Sequence, residues 1–471
     1  MKIRIQVVIE HDDETSETIV EEFGCLQRGE PRPESLGLTL DEGKTLLGRI
    51  QQEMVKQQIA EYIEYHRACH DCDRPHRCNG RHHISYRTLF GKMRLESPRF
   101  YTCPCRPREQ QSFSPVAHLL PERSAPELCY LQTKWASLMS YGLTVDLLEE
   151  VLPLKTNFTS VYQHTHQTAK RIESELGEEQ VMFAHGNEHD WHALPHPDEP
   201  LTVGIDGGFV HGRDGDNRKA GWFEVIVGRS LQENHDPKRF GFVAGHDEKP
   251  KRRLYETLSA QGLQMNQAIT FLSDGGDTVR NLQYYMSPVA EHILDWFHIT
   301  MKLTVMRNIA KGLPKHEELE GVSGELERIK WFLWHGNVYQ ALEALRFLEM
   351  DLEIFENEDE VTAKLYSHVQ EFKIYIRNNR HYIPNYGDRY RYGEVISTAF
   401  AESAVNELIS KRMVKKQQMR WTKKGAHLLL QTRAKTLDGD LRDKFVEWYP
   451  GMDTSVAATQ FSPTDSSSLS C

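Results

Sequence analysis

The sequence predicts a multidomain α+β protein built around an α/β core that an all-α insertion interrupts. Three observations predict it. Residues 201–295 carry five short apolar runs, with helical stretches between the later ones. The stretches on either side show helical rather than strand periodicity. A chain of 471 residues is too long for one ordinary domain and suggests about three.

Composition narrows the class. A hydrophobic share of 39% with 10% aromatics supplies sizeable cores. No run approaches the roughly 20 apolar residues that span a bilayer, and Met1-Lys2-Ile3-Arg4 alternates unlike a signal peptide. These features exclude a membrane partner. Eight cysteines in a chain this long are no disulfide scaffold; their clustering points to metal in a reducing compartment. The formal charge is −11, yet Lys364 to Lys444 holds 17 Lys and Arg against 8 Asp and Glu. One basic segment on an acidic protein suits a localised polyanion-binding face.

Taken in order, residues 1–66 read as an accessory region. An alternating strand spans 2–9, and a helix is capped by Thr39 with Glu42 in a capping box. Residues 67–110 read as a zinc-binding hairpin. Cys69-x-x-Cys72 and Cys103-x-Cys105 flank two strands, 84–89 and 92–101. Four thiolates suit a structural, tetrahedral zinc and leave it no open position. His70, Cys78, His82 and His83 are rival ligands. Arg87, Lys92, Arg94 and Arg99 on this hairpin suit phosphate contact or an ordinary solvated face.

Residues 120–180 read as helical. Pro126 opens the first helix, Ser140 to Thr144 breaks it, and Thr144 caps the next. Helix, Gly-containing turn, helix is the helix-turn-helix pattern, which any helical hairpin also satisfies. As a DNA-binding region it directs Thr159, Ser160, Gln163, His164 and Gln167 to a major groove. Residues 177–199, acidic and bearing histidines, read as a linker.

The core, 200–311, follows. Strands at 201–210, 221–229 and 240–244 precede a helix at 251–261 and a strand at 268–273. A helix at 277–286, a strand at 291–295 and a helix to about Lys311 complete it. Three antiparallel strands and then alternation is the order of a ribonuclease-H-like fold. Val203 to Phe209 reads V-G-I-D-G-G-F, and Ile269 to Gly276 reads I-T-F-L-S-D-G-G. Each ends an apolar strand in an acid, Asp206 and Asp274, followed by two glycines that let backbone or ligand approach. Two acids in matching places suit one divalent-cation site; the competing reading is two simple turns. Asp295 ends the fifth strand in D-W-F-H.

Residues 312–390 read as the all-α insertion, with Ile329, Trp331, Phe332, Trp334, Leu342, Leu345 and Leu348 spaced for a core. Basic and aromatic residues interleave from Lys373 to Tyr392, a mixture suited to phosphate and base contact. Residues 391–449 close the core, with Glu402 on a helix among small residues that allow packing on the sheet. Lys411, Arg412, Lys415, Lys416, Arg420, Lys423 and Lys424 follow as candidate DNA-backbone contacts. Residues 450–471, rich in Ser and Thr, read as a disordered tail.

The motifs D-G-G-F, F-L-S-D-G-G, D-W-F-H, S-T-A-F-A-E-S and K-K-Q-Q-M-R-W-T-K-K-G-A-H-L-L-L-Q-T-R together resemble the bacterial insertion-sequence transposases of the IS-Kra group, relatives of the Mutator-like DDE transposases. The resemblance runs from the cysteine hairpin to about Phe445. It implies a ribonuclease-H-like catalytic core with Asp206, Asp274 and Glu402 as the acidic triad, and Asp295 and His298 as adjuncts. It further implies two Mg²⁺ ions, or Mn²⁺, at the triad, beside the structural zinc. The implied activity is cleavage and strand transfer of DNA in the bacterial cytoplasm, on terminal repeats and target DNA, by a homodimer or larger assembly. The alternative is a catalytically inactive, transposase-derived DNA-binding regulator.

Overall fold

The computed structural model describes residues 1–9, 19–105, 111–178, 195, 199–213, 221–264, 266–287, 290–315, 319–355, 357, 359–414 and 419–453. The chain divides into two compact units, residues 1–168 with 440–471, and residues 169–439. Most of the 177–199 linker, Lys415, Lys416 and the 454–471 tail lie outside the described residues.

The first unit opens with a two-stranded antiparallel sheet, β1 (Lys2–Ile9) and β2 (Ile19–Gln27). β2 is absent from the sequence reading, because its Glu21-Glu22 pair and Gly24 blur the alternation. Helix α1 (Leu40–Tyr65) starts at Thr39, and both bonds of the capping box with Glu42 form. Strands β3 (Cys78–Thr88) and β4 (Gly91–Tyr101) make the hairpin, and β5 (Ser112–Phe113) extends it. β3 begins six residues before the expected start at Ile84. Ile84, Met93 and Leu95 on its inner face pack with Val55 and Ile59 of α1 and Val116 of α2 (Pro115–Leu119).

Helices α3 (Pro126–Leu138), α4 (Tyr141–Val151) and α5 (Phe158–Glu175) follow. The cap of α4 is Ser140, whose Oγ accepts from the Leu143 N–H. Thr144 instead lies buried inside the helix, its hydroxyl donating to the Ser140 carbonyl. The expected cap was four residues late because Gly142, read as a breaker, is tolerated in the first turn. On α5, Thr159, Gln163 and Gln167 are exposed at four-residue spacing, while Ser160 and His164 are half-buried.

The second unit holds a five-stranded sheet in the order β10-β9-β6-β7-β8. Its strands are β6 (Leu201–His211), β7 (Trp222–Gln232), β8 (His235–Val243), β9 (Ile269–Ser273) and β10 (Glu291–Leu294). The first three are antiparallel neighbours; β9 and β10 add in parallel on the other side of β6. Helices α6 (Pro250–Ala260) and α7 (Asp277–Met286) cover one face, burying Leu254, Leu258, Val279 and Leu282 with Val203, Ile205 and Phe271. α8 (Trp296–Ala310) leads into α9 (Val322–Trp334), α10 (Val338–Glu353), α11 (Glu360–Asn378) and α12 (Tyr386–Arg391). These share one core with Leu272, Ile293 and Leu294 of the sheet edge. Trp331 departs from the expectation and is half exposed.

The opposite face of the sheet is covered by α13 (Ala399–Val405), a π-helix (Asn406–Val414) and α14 (Lys423–Leu437). Gly204 and Gly208 make that packing possible: a Cβ at Gly204 would lie 2.5 Å from Phe400, and one at Gly208 2.9 Å from Ile409. Helix α15 (Leu441–Trp448) belongs with the first unit, where Leu441 and Phe445 bury against Cys129.

Arg253 of α6 is almost fully buried. It donates to Asp247 at 2.8 Å and holds Glu173 through two bonds of 2.8 and 3.0 Å. Burial works against the ionised Glu173 carboxyl, but His427 and Arg253 hold its pKa down to about 2. A depressed carboxyl pKa stabilises the fold above its ordinary value and loses that contribution as pH falls through the depressed one. The protein is therefore expected to lose stability between about pH 4.5 and pH 2. Glu173→Gln should flatten that dependence and cost about 2–3 kcal/mol at neutral pH by leaving Arg253 underpaired. Urea unfolding at a series of pH values measures both.

Candidate functional site

Register brings three acids together. In the parallel β6–β9 pair, Leu201 to Gly204 stand opposite Ile269 to Leu272. In the β9–β10 pair, Ser273 stands opposite Leu294. Carrying each register forward sets Asp206 and Asp295 on either side of Asp274, in one row that crosses the carboxyl ends of β9 and β10 and the point where β6 passes the end of its parallel pairing. That edge of an open α/β sheet is where ligands bind, because helices cover the faces and leave the strand ends open.

Each acid is held differently. The Asp206 side chain is 13% exposed, and its Oδ1 takes the Gly207 N–H at 2.7 Å. β6 continues to His211, so Asp206 lies within the strand, two residues past its pairing with β9. Gly207 and Gly208 extend the strand rather than turn it. The space at Gly208 is filled by Val405 and Ile409 of the protein itself, and that at Gly207 faces the Glu224 carboxyl. The second D-G-G differs. Gly275 has φ +84°, and Gly276 caps α7 while its N–H donates to Asp274 at 3.0 Å. A Cβ at Gly275 would lie 2.3 Å from Asn379 Oδ1, so only glycine fits beneath that turn.

Asp295 is fully buried. It caps α8, accepting the Phe297 N–H at 2.9 Å, and it bonds His298 Nδ1 at 2.7 Å. The Thr398 N–H donates to it at 3.0 Å, and the Thr398 hydroxyl donates as well. The other nitrogen of His298, Nε2, lies 3.9 Å from Asp206 Oδ1.

The electrostatics follow from this crowding. Burial pushes the Asp206 pKa up; the Gly207 N–H and His298 oppose, and the charges of Asp274 and Asp295 push it up further. Burial pulls the His298 pKa down, but the bond to Asp295 and the charges of Asp295, Asp206 and Asp274 outweigh it and raise the pKa. A cluster of carboxylates with one imidazole is short of positive charge, which is the condition that favours a bound cation.

Glu402 sits in the first turn of α13 and is solvent-exposed. Its level along β6 is set by the residues beside it. Ala401 packs at Gly204, and Val405 packs at Gly208. Gly204, Asp206 and Gly208 alternate onto the same face of the strand, so the backbone of Glu402 runs over the Asp206 position. Among the described residues, sets of three or more ligand-type side chains converging within 4.8 Å are Cys69-Cys72-Cys103-Cys105 and Glu173-Asp247-His427. The three acids do not converge that tightly. In the second set Arg253 already supplies the positive charge, so that set is an ion-pair network.

The four cysteines fit a metal. Sγ–Sγ separations of 3.5 Å join Cys69 to Cys105, Cys72 to Cys103, and Cys72 to Cys105. Tetrahedral zinc with bonds of about 2.3 Å sets its sulfurs about 3.8 Å apart. The Cys105 backbone N–H and the neighbouring thiols hold the Cys103 pKa down to about 7. Cys78 stands outside this group, its Sγ directed at the Gly80 carbonyl. His70, His82 and His83 do not join it either.

Of the basic candidates, Lys411, Arg420, Lys423 and Lys424 are exposed. Arg412 is not: it is fully buried, with its guanidinium 5.3 Å from the Trp421 ring centroid. It continues the buried stripe of Ala401, Ala404 and Leu408 at three- to four-residue spacing, so it does not face solvent or a DNA backbone.

The roles of several supporting residues have no signal in the sequence. Thr398, inside S-T-A-F-A-E-S, stands there as one small residue among others. Tyr375 donates from its hydroxyl to the Asp274 carbonyl at 3.1 Å, and the buried Tyr386 to the Leu294 carbonyl at 2.6 Å. Both belong to the basic–aromatic stretch expected to contact nucleic acid. Only Tyr390 and Tyr392 of that stretch are large exposed aromatics.

No protein-family model matches the chain. No curated protein matches it. Among solved structures, the Drosophila P element transposase strand transfer complex is similar at 10% identity and a TM-score of 0.23. That match covers 72% of this chain and 85% of the other.

Two measurements check this site. Thr398→Val removes a hydroxyl donor from a buried carboxylate and is expected to cost about 1–3 kcal/mol in urea unfolding. Cys72→Ser, or a strong zinc chelator, should release metal detectable by atomic emission and lower the thermal midpoint of the cysteine hairpin.

Proposed function

We propose that the chain is a DDE transposase of an insertion sequence, with a ribonuclease-H-like catalytic domain in which Asp206, Asp274 and Glu402 are the metal-binding triad. The observation that carries this reading is the row of acids across the sheet. Asp206 and Asp274 fall side by side on adjacent parallel strands, and the neighbours of Glu402 on α13 pack at Gly204 and Gly208 on either side of Asp206. The strand order β10-β9-β6-β7-β8 and the helical stretch between β10 and α13 support it.

The residues present fit divalent cations: hard oxygen donors, a deficit of positive charge, and an open strand edge. Asp206, Asp274 and Glu402 would hold Mg²⁺ or Mn²⁺. Bound there, the ions would neutralise charge on the scissile phosphate and on the attacking and leaving oxygens. The chain's own residues have separate tasks. Asp295 orients His298 through Nδ1, which leaves Nε2 on the side of Asp206, where it would face a phosphate bound at the acids. A raised His298 pKa keeps the imidazole protonated as a proton donor or phosphate partner over a wider pH range. Lys411, Arg420, Lys423 and Lys424 would hold DNA backbone, and the exposed face of α5 would read terminal repeats. Synapsis of two ends implies a homodimer or larger assembly. No nucleophilic serine or tyrosine is required, because the attacking oxygen belongs to water or to DNA.

Asp206→Asn, Asp274→Asn and Glu402→Gln are each expected to abolish Mg²⁺-dependent cleavage while DNA binding survives. A strand-transfer assay with pre-cut terminal-repeat ends checks this. Joining by the native chain supports a transposase, hydrolysis without joining indicates a nuclease, and neither indicates a binding regulator. Retained cleavage in any of the three variants overturns the triad.

A further inference from the structure

The β3–β4 hairpin shows two unlike faces. Its inner face is apolar and packed against α1 and α2. On its outer face Arg87 stands directly opposite Lys92, and Arg94 stands opposite Ser85. Arg87, Lys92 and Arg94 are all exposed, and their side chains make no ion pair among the described residues. Opposed residues in an antiparallel pair hold their Cβ atoms about 5 Å apart, and like charges placed there destabilise the sheet. The adjacent rows show the ordinary remedy: Arg81 is paired with Glu96 at 2.7 Å. Among the described residues no ion pair of that kind forms at the turn end of the hairpin, so like charges stand opposed there at a cost to the sheet.

The charge reaches a neighbouring element. His164 of α5 has its pKa lowered first by burial and then by Arg87, with the Glu122 carboxylate opposing. The cationic end of the hairpin therefore lies near the helix that exposes Thr159, Gln163 and Gln167. The surface so formed is a two-stranded ribbon bearing cations at spacings of a few ångströms, beside a helix with amide and hydroxyl side chains outward. Phosphate oxygens along a duplex are the anions that such a ribbon fits, since they repeat at a similar spacing and neutralise several cations at once.

We propose that the outer face of the β3–β4 hairpin, through Arg87, Lys92 and Arg94, binds the phosphate backbone of duplex DNA. It is a second DNA contact, separate in sequence from the acids and from the Lys411–Lys424 segment. It rests on the nucleic-acid reading above but not on the identity of the catalytic triad.

The test uses the full zinc-loaded chain and a fluorescently labelled duplex of mixed sequence, titrated by anisotropy across a range of KCl. Each lost phosphate contact should reduce the log–log salt slope by about 0.9, so R87Q/K92Q/R94Q should lower it by about 2–3 and weaken binding roughly tenfold or more near 0.1 M salt. R81Q, whose charge is already spent on Glu96, should change neither. The triple variant should keep or raise its thermal midpoint, because a like-charge pair is removed. Unchanged affinity and slope in the triple variant overturn the proposal and leave the triad reading intact. A fall in midpoint accompanying the loss of binding overturns it too, by marking the three as structural. Absence of any duplex binding by the native chain removes this proposal and the DNA reading together, whereas loss of cleavage confined to the acid variants bears only on the triad.

Discussion

A carboxylate removed wholly from water must be surrounded by donors, and Asp295 meets that demand with four. Its partners are the Phe297 N–H, His298 Nδ1, and the N–H and hydroxyl of Thr398. They come from the start of α8 and from the residue that opens α13, more than a hundred positions along the chain. One buried charge therefore ties the end of β10 to the helix that carries Glu402. An unpaired buried carboxylate would be costly, so the arrangement is held by electrostatic necessity. The acid row, the orientation of His298 and the placement of α13 all depend on it.

The rest of the second unit reinforces that junction from outside. Tyr375 and Tyr386 send hydroxyls to the carbonyls of Asp274 and Leu294, so the helical insertion braces the turns at the strand ends. Asn379 lies against Gly275 and accepts from Arg280 at 2.9 Å. The insertion thus shares its core with the sheet edge instead of hanging from it. Away from the acids, Arg253 gathers Glu173 and Asp247 into a buried ion-pair network. Two groups of acids in one unit are thus opposite in kind. One has its positive charge built in, and the other lacks it.

The two D-G-G motifs make the same point about sequence and space. They are identical as words and stand on adjacent parallel strands, the first inside its strand and the second past the end of its own. In the first, Gly208 admits a helix against the sheet; in the second, the glycines permit a left-handed turn and cap a helix. A motif records what side chains are absent, and the neighbours decide what fills the room. Arg412 is the converse case. It reads as one more cation in a basic run, yet it falls on the buried stripe that begins at Ala401 and lies against Trp421 in the core.

Local order was legible in the chain. Short apolar runs marked the five strands of the core, the Thr39–Glu42 pair marked the start of α1, and cysteine spacing marked the thiol cluster. These signals act over a few residues, where backbone sterics and hydrogen-bond reach decide the outcome. β2, the Ser140 cap and the inward turn of Arg412 were not legible. Nor were the roles of Thr398, Tyr375 and Arg253, because each depends on a partner distant in sequence. Which acids share a row is decided by strand register, and which charges are free is decided by burial. Both are properties of packing, and packing is a sum over contacts that no single stretch of sequence contains.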